Sequence, residues 1–274
     1  EQHNPVFQNI WSARGGEMAK ATTNYNAFQL ILENRPIKPK KLITLKKKME
    51  NNPHLFKVKP ILCNSKEASK DRYASCDGLG LGIIDGQHRF TVGQQLGRKI
   101  YYNVDDNIHL DDVSEATSET TPWSLPDFLH KFCMQGRVQY KAFSGYLNKT
   151  GFPISVCQVI LQGGRGKYQT IQFQTGDLEC KNWKLANSFE EAINGTDDKA
   201  GVCDYLGFAR KSSFLNAFWL MFKNPLFDIN RMMNKLEYGA STVRNCPDKP
   251  LFLRELSRLY NYNSRDKVKF YEDE

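Results

Sequence analysis

No apolar run in this chain approaches the roughly 18 residues that a membrane-spanning helix needs, so neither such a helix nor a membrane partner is expected. The first residues, EQHNPVFQNIW, lack the apolar core of a signal peptide. Close cysteine pairs are missing as well. Cys63, Cys76, Cys133, Cys157, Cys180, Cys203 and Cys246 are scattered, with no two at the spacing of a zinc ribbon or a CxxC redox motif. An odd, unclustered set of this kind is expected of reduced thiols in a cytosol-like compartment. The Asn-Lys-Thr at Asn148 is then incidental as a glycosylation pattern. His54, His109 and His130 are isolated from one another and form no metal spacing.

Two glycine-rich stretches lack what a nucleotide fingerprint requires. GLGLG at Gly78–Gly82 precedes a strand, whereas a dinucleotide fingerprint follows one and opens a helix. GGRGK at Gly163–Lys167 has neither the Walker spacing nor the following Ser or Thr, leaving a basic loop that is either plain or in contact with phosphate. No internal repeat recurs at a fixed period.

The chain does have material for a core. Its 274 residues are 40% hydrophobic and 12% aromatic, enough for one large domain or two small ones. Lys and Arg number 38 against 30 Asp and Glu, for a net charge of +8. That bias indicates either a polyanionic partner, nucleic acid foremost, or a lysine-rich surface.

Residues 1–27 read as a polar arm. Residues 28–34 read as a strand or short helix. Pro36 and Pro39 set up a helix from Pro39 to about Asn51, with Leu42, Leu45 and Met49 on one face and Lys40, Lys41, Lys46, Lys47 and Lys48 on the other. The lysines either contact a nucleic-acid backbone or form a solvated helix face. FKVKPILC (56–63) alternates as a strand does. Residues 64–73 read as a loop, and a second strand runs through GLGLGII. Phe90–Leu96 has helical spacing closed by Gly97, and 98–104 reads as a third strand. The acidic, Ser/Thr-rich 105–121 reads as a linker.

Ser124 and Asp127 then form a capping-box pattern. Helices are expected at about 124–134, 138–149, 154–161, 183–194, 212–222, 228–237 and 250–260. YQTIQFQ (168–174) reads as a short strand between two of them, and the tail frays after about residue 262. Trp123, Phe128, Phe132, Tyr140, Phe143 and Tyr146, and Phe214, Phe218 and Phe222, recur at core spacing.

The chemistry concentrates in Ile83–Phe90, IIDGQHRF. A buried strand ending in Asp-Gly and turning into a helix presents backbone N–H groups that lack intrahelical partners, and the helix dipole draws an anion to them. Gly86 clears the turn, and Arg89 offers a guanidinium suited to phosphate oxygens. Gln87 supplies a donor and an acceptor. His88 either donates to phosphate or moves a proton. Asp85 binds a metal, orients water, or holds His88 or Arg89. The bland alternative is a structural turn in which Asp85 pairs with Arg89.

The segment IIDGQHRFTVGQQLGRKIYYNV resembles the motif region of the ParB/sulfiredoxin superfamily, in its DGQHR subgroup, and has a cast shared with phage and mobile-element proteins. Glu33-Asn34-Arg35-Pro36, the lysine-rich helix and Lys59-Pro60-Ile61-Leu62 fit the upstream pattern, so the resemblance covers about residues 28–104. It implies an α+β fold: a small mixed-sheet domain at 28–115, after an arm at 1–27 and before a mostly helical domain at 116–274.

The resemblance also implies binding of a nucleoside triphosphate (CTP, ATP or GTP) with Mg²⁺. Gly86, Gln87, His88, Arg89, Asn34 and Arg35 would hold the nucleotide and its phosphates, Asp85 the metal, and His88 and Asp85 would act in hydrolysis of an NTP or a phosphodiester. Lys40, Lys41, Lys47 and Lys48 would contact nucleic acid, in keeping with action on or near DNA in a cytoplasm, the host's if phage-encoded. A protein partner or homodimer would use the helical part. The alternative function is a non-catalytic DNA- or protein-binding regulator or inhibitor. Gln87 stands where sulfiredoxins place their catalytic cysteine, which argues against reductase chemistry. No spacing singles out a helix-turn-helix.

Overall fold

The computed structural model describes residues 19–68, 80–116 and 123–271. The first 18 residues of the expected arm, Cys76, the end of the 64–73 loop, Gly78 and Leu79 of GLGLG, and residues 117–121 of the expected linker lie outside that set.

The chain divides into two compact units after Gln135. The first holds strand β1 (Lys20–Thr22), β2 (Phe28–Leu30), helix α1 (Pro39–Asn51), the turn α2 (Leu55–Val58), β3 (Ile61–Asn64), the turn α3 (Ser65–Ala68), β4 (Leu81–Asp85), α4 (Gln87–Gln95), β5 (Ile100–Val104), α5 (Leu110–Ala116) and α6 (Leu125–Met134). Among the described residues the strands form one sheet in the order β1-β5-β3-β4-β2. It is mixed: β2 runs parallel to β4 and β3 parallel to β5, while β1–β5 and β3–β4 are antiparallel. The expected α+β architecture is present.

Strand alternation assigns the two faces of this sheet. Ile83 joins Phe28, Ile61, Cys63, Phe90 and Ile100 under α4. Its neighbour Ile84 points the other way, onto Ile31, Leu110 and Val113. Helix α4 sits close to β5 and α2 at Gly93, where a Cβ would come within 2.4 Å of Ile100 Cδ1 and 2.9 Å of Phe56 Cε1.

Several expectations change here, each for a packing reason. Residues 20–22 of the supposed arm are an edge strand, held by backbone pairing with β5 rather than by side-chain pattern. Residues 55–58 form a helical turn that buries Phe56 and exposes Val58, so the strand begins only after Pro60. Residues 110–116 are a helix, because the Ile84 face needs cover and Leu110 and Val113 supply it. Helix α6 belongs to the first unit, which moves the boundary from near 115 to 135. Its capping box at Ser124 and Asp127 forms as expected.

The second unit contains α7 (Val138–Thr150), α8 (Ile154–Gln162), α9 (Lys167–Thr175), α10 (Trp183–Asn194), α11 (Val202–Tyr205), α12 (Ser212–Phe222), α13 (Ile229–Gly239) and α14 (Lys249–Asn261). Residues 167–175 are helical, not extended. They bury only Phe173, against Tyr140 and Phe143 of α7. The tail does not fray at 262: Asn261 hydrogen-bonds both the N–H and the carbonyl of Val268, and Phe270 packs on Phe227 and Tyr260. Among the described residues no helix is long and apolar enough to cross a membrane.

Candidate functional site

Strand β4 delivers its last residue, Asp85, to a turn at Gly86. The glycine has φ 92° and ψ 16°, the left-handed region. A Cβ there would meet Arg89 Nη2 and Ile61 Cγ2, both at 2.7 Å, so conformation and space alike demand glycine. The first bond of the α4 ladder runs from Phe90 N–H to Gly86 O, 2.9 Å. The amides of Gln87, His88 and Arg89 therefore precede the ladder, at the positive end of the helix dipole.

Arg89 folds back over this turn. Its Nη2 donates to Asp85 Oδ2 at 3.0 Å, both side chains being largely buried. Its Nε is buried with no hydrogen-bond partner among the described residues. A buried unsatisfied donor on a cation is costly, and a ligand oxygen would satisfy it.

The other polar groups of the motif fasten a neighbouring segment. The Asn34 side-chain amide donates to Ile83 O and Ile84 O at 3.3 and 3.2 Å, while its Oδ1 accepts from Arg35 N–H at 2.7 Å. Gln87 Nε2 donates to Arg35 O. His88 Nε2 lies 3.1 Å from Lys38 N–H. A backbone donor at Nε2 requires the neutral ring with its proton on Nδ1. The His88 pKa lies below its ordinary value, through burial first and then the charges of Lys41, Arg35 and Lys38, against a smaller opposing effect of Asp85. So Asn34, Gln87 and His88, expected as nucleotide ligands, hold residues 34–38 against the strand end.

Two clefts flank this arrangement. The first, about 370 Å³, is lined by Arg35, Lys48, Lys59 and Arg89, by Asp85 as the one carboxylate, and by an aliphatic wall of Leu45, Met49, Leu55 and Val58. The second, about 500 Å³, has Arg35, Lys38, Lys40, Lys41, Lys48 and His88 in its lining and, among the described residues, no carboxylate. Arg35, Lys48 and His88 border both. The structure thus gathers Arg35, Lys40, Lys41, Lys48, His88 and Arg89 at one locality. Lys47 is exposed on α1 and lines neither cleft.

Lys38 and Lys59 were not anticipated as site residues. Lys38 is the residue before α1, and Lys59 follows the α2 turn misread as strand, so only tertiary return brings them to the motif.

The residues present do not make a Mg²⁺ site by themselves. Asp85 is a single carboxylate with one oxygen engaged by Arg89, and no three-residue group of metal-ligand type occurs among the described residues. Compared with known proteins, the chain matches no family model and no curated protein.

Proposed function

We propose that this chain is a ParB/sulfiredoxin-type nucleotide-binding protein that holds the phosphates of a nucleoside triphosphate at the Gly86–Arg89 turn and acts on DNA. The observation that carries the first half is the buried, unpartnered Arg89 Nε beside a helix N-terminus, in a cleft with four cationic side chains and one carboxylate. Phosphate oxygens would meet Arg89 and the first amides of α4, with Lys48, Lys59 and Arg35 around them. The aliphatic wall would take the nucleoside.

The site is better suited to binding than to proton transfer. His88 is held neutral, and its Nε2 lone pair is occupied by the Lys38 amide. Its remaining ring donor, the Nδ1–H, would then be the group it offers a phosphate oxygen.

A second observation supports the DNA half. Helices α8 and α9, nine residues each, are joined by Gly163-Gly164-Arg165-Gly166. Two short helices across a glycine-containing turn of this length share the connectivity of a helix-turn-helix, whose second helix enters the major groove with its N-terminal residues. Helix α9, KYQTIQFQT, leaves Lys167, Tyr168 and Ile171 exposed and contains no acidic residue. Lys, Gln and Thr are residue types that read base edges and thymine methyls.

Calorimetric titration with CTP, ATP and GTP, with and without Mg²⁺, tests the nucleotide half. One charge-assisted hydrogen bond is worth about 1.5–3 kcal/mol, so Arg89→Met should weaken binding roughly 10- to 100-fold. Failure of the wild-type protein to bind any of the three at millimolar concentration overturns the reading. For DNA, Lys167→Ala should weaken duplex binding across sequences and reduce the salt slope by about one. Unchanged DNA affinity in both Lys167→Ala and Tyr168→Ala would remove α9 from the interface.

A further inference from the structure

Residues 32–38 face the basic clefts on one side and helix α6 on the other. Toward the clefts, Gln87 and His88 grip the backbone of Arg35 and Lys38, and the side chains of both contribute to the lining. Toward α6, Leu32 O meets His130 Nε2 at 2.8 Å, and the Arg35 guanidinium lies 5.5 Å from the Trp123 ring centroid. Lys38 Nζ lies 3.1 Å from Asp127 Oδ1. Asp127 is buried and also accepts from Ser124 N–H at 2.9 Å and Ser124 Oγ at 2.7 Å.

Lys38 is therefore claimed from two directions. Its side chain is 45% exposed, so the ammonium has room to move, whereas the Asp127 side chain is 4% exposed and fixed by the cap. An anion in the carboxylate-free cleft enters a field of Arg35, Lys40, Lys41 and Lys48 and draws the same ammonium.

We propose that Lys38 couples the cleft to helix α6, a polyanion in the cleft competing with Asp127 for the Lys38 ammonium. The inference rests on the proposed anion site at the Gly86–Arg89 turn, extends it to this adjoining cleft through their shared Arg35, Lys48 and His88, and adds its regulation. Coupling of this kind is reciprocal: what loosens the Asp127 claim on Lys38 tightens the ligand, and the ligand weakens the Lys38–Asp127 contact, one of those between the 32–38 segment and α6.

A double-mutant cycle on the full chain tests it, with sodium tripolyphosphate as the probe and affinity read by calorimetry. Asp127→Asn keeps an oxygen for the Ser124 cap and removes the charge. It should tighten tripolyphosphate about 3- to 10-fold in the wild-type background and by less than about 2-fold beside Lys38→Met. An equal gain in both backgrounds means long-range electrostatics alone and overturns the coupling. No tripolyphosphate binding by the wild-type protein overturns the cleft reading itself, a distinguishable result.

Should Asp127→Asn fail to fold, the Asp127 carboxyl titration is followed by ¹³C NMR in protein that retains Asp127. A rise in its pKa on adding tripolyphosphate that disappears in Lys38→Met supports the proposal. The same rise in both proteins overturns it.

Discussion

At Gly86 a positive φ and two contacts at 2.7 Å coincide, so a single methyl group meets both penalties. Gly86→Ala should destabilise the first unit by about 1–3 kcal/mol, read as a lower denaturation midpoint at unchanged m-value. Arg89, whose Nη2 would be displaced, should lose ligand affinity in the same variant.

His88 supplies a second residue-scale prediction. Its folded pKa is lowered, so the unfolded chain binds the proton more readily than the folded one. The contribution of His88 to stability is present above its ordinary value of 6.5 and declines as pH falls below it. His88→Gln should flatten that part of the stability–pH curve, measured by urea unfolding between about pH 5.5 and 7.5. A wild-type slope that survives the substitution would assign the titration elsewhere.

Helix α4 shows packing deciding where intrinsic propensity points the other way. Alanine normally improves a helix interior over glycine by about 1 kcal/mol. At Gly93 the added methyl would lie 2.4 Å from Ile100 Cδ1, and overpacking of this sort costs about 1–3 kcal/mol. Gly93→Ala should therefore lower the melting temperature, whereas Gly97→Ala, with open space but positive φ, reports backbone strain alone.

Elements with their own punctuation were legible in the sequence. Pro39 opens α1, Ser124 and Asp127 cap α6, and Gly151 and Gly163 close α7 and α8 with positive φ. Those defined by partners were not. The β1 strand exists through its pairing with β5, and α5 exists to cover Ile84. Helix α9 misled because Tyr, Thr, Ile and Phe alternate with Gln. Its actual pattern is one buried phenylalanine on an otherwise solvated helix. The motif turn was legible in the same way, as a strand end, a glycine and a helix. Its division of labour was not, because Asn34, Gln87 and His88 spend their hydrogen bonds on a segment fifty residues away in the chain.

Across the whole molecule the thiols divide by depth. Cys63, Cys157 and Cys180 are buried, and desolvation raises each thiol to about 12. Thiolate is the reactive form, so these three should stay silent toward Ellman's reagent at pH 8 until the chain unfolds. Cys133, Cys203 and Cys246 are only partly covered. Cys63, Cys157, Cys180, Cys203 and Cys246 are free thiols.

The fastening of residues 34–38 by Asn34, Gln87 and His88 has a kinetic consequence. The entropy of ordering one wall of the clefts is already spent in folding, before any ligand arrives. Association should then be a single concentration-dependent phase without a slow isomerisation. Its heat-capacity change should be small and negative, reflecting a nucleoside settling on Leu45, Met49, Leu55 and Val58 rather than a segment folding around it.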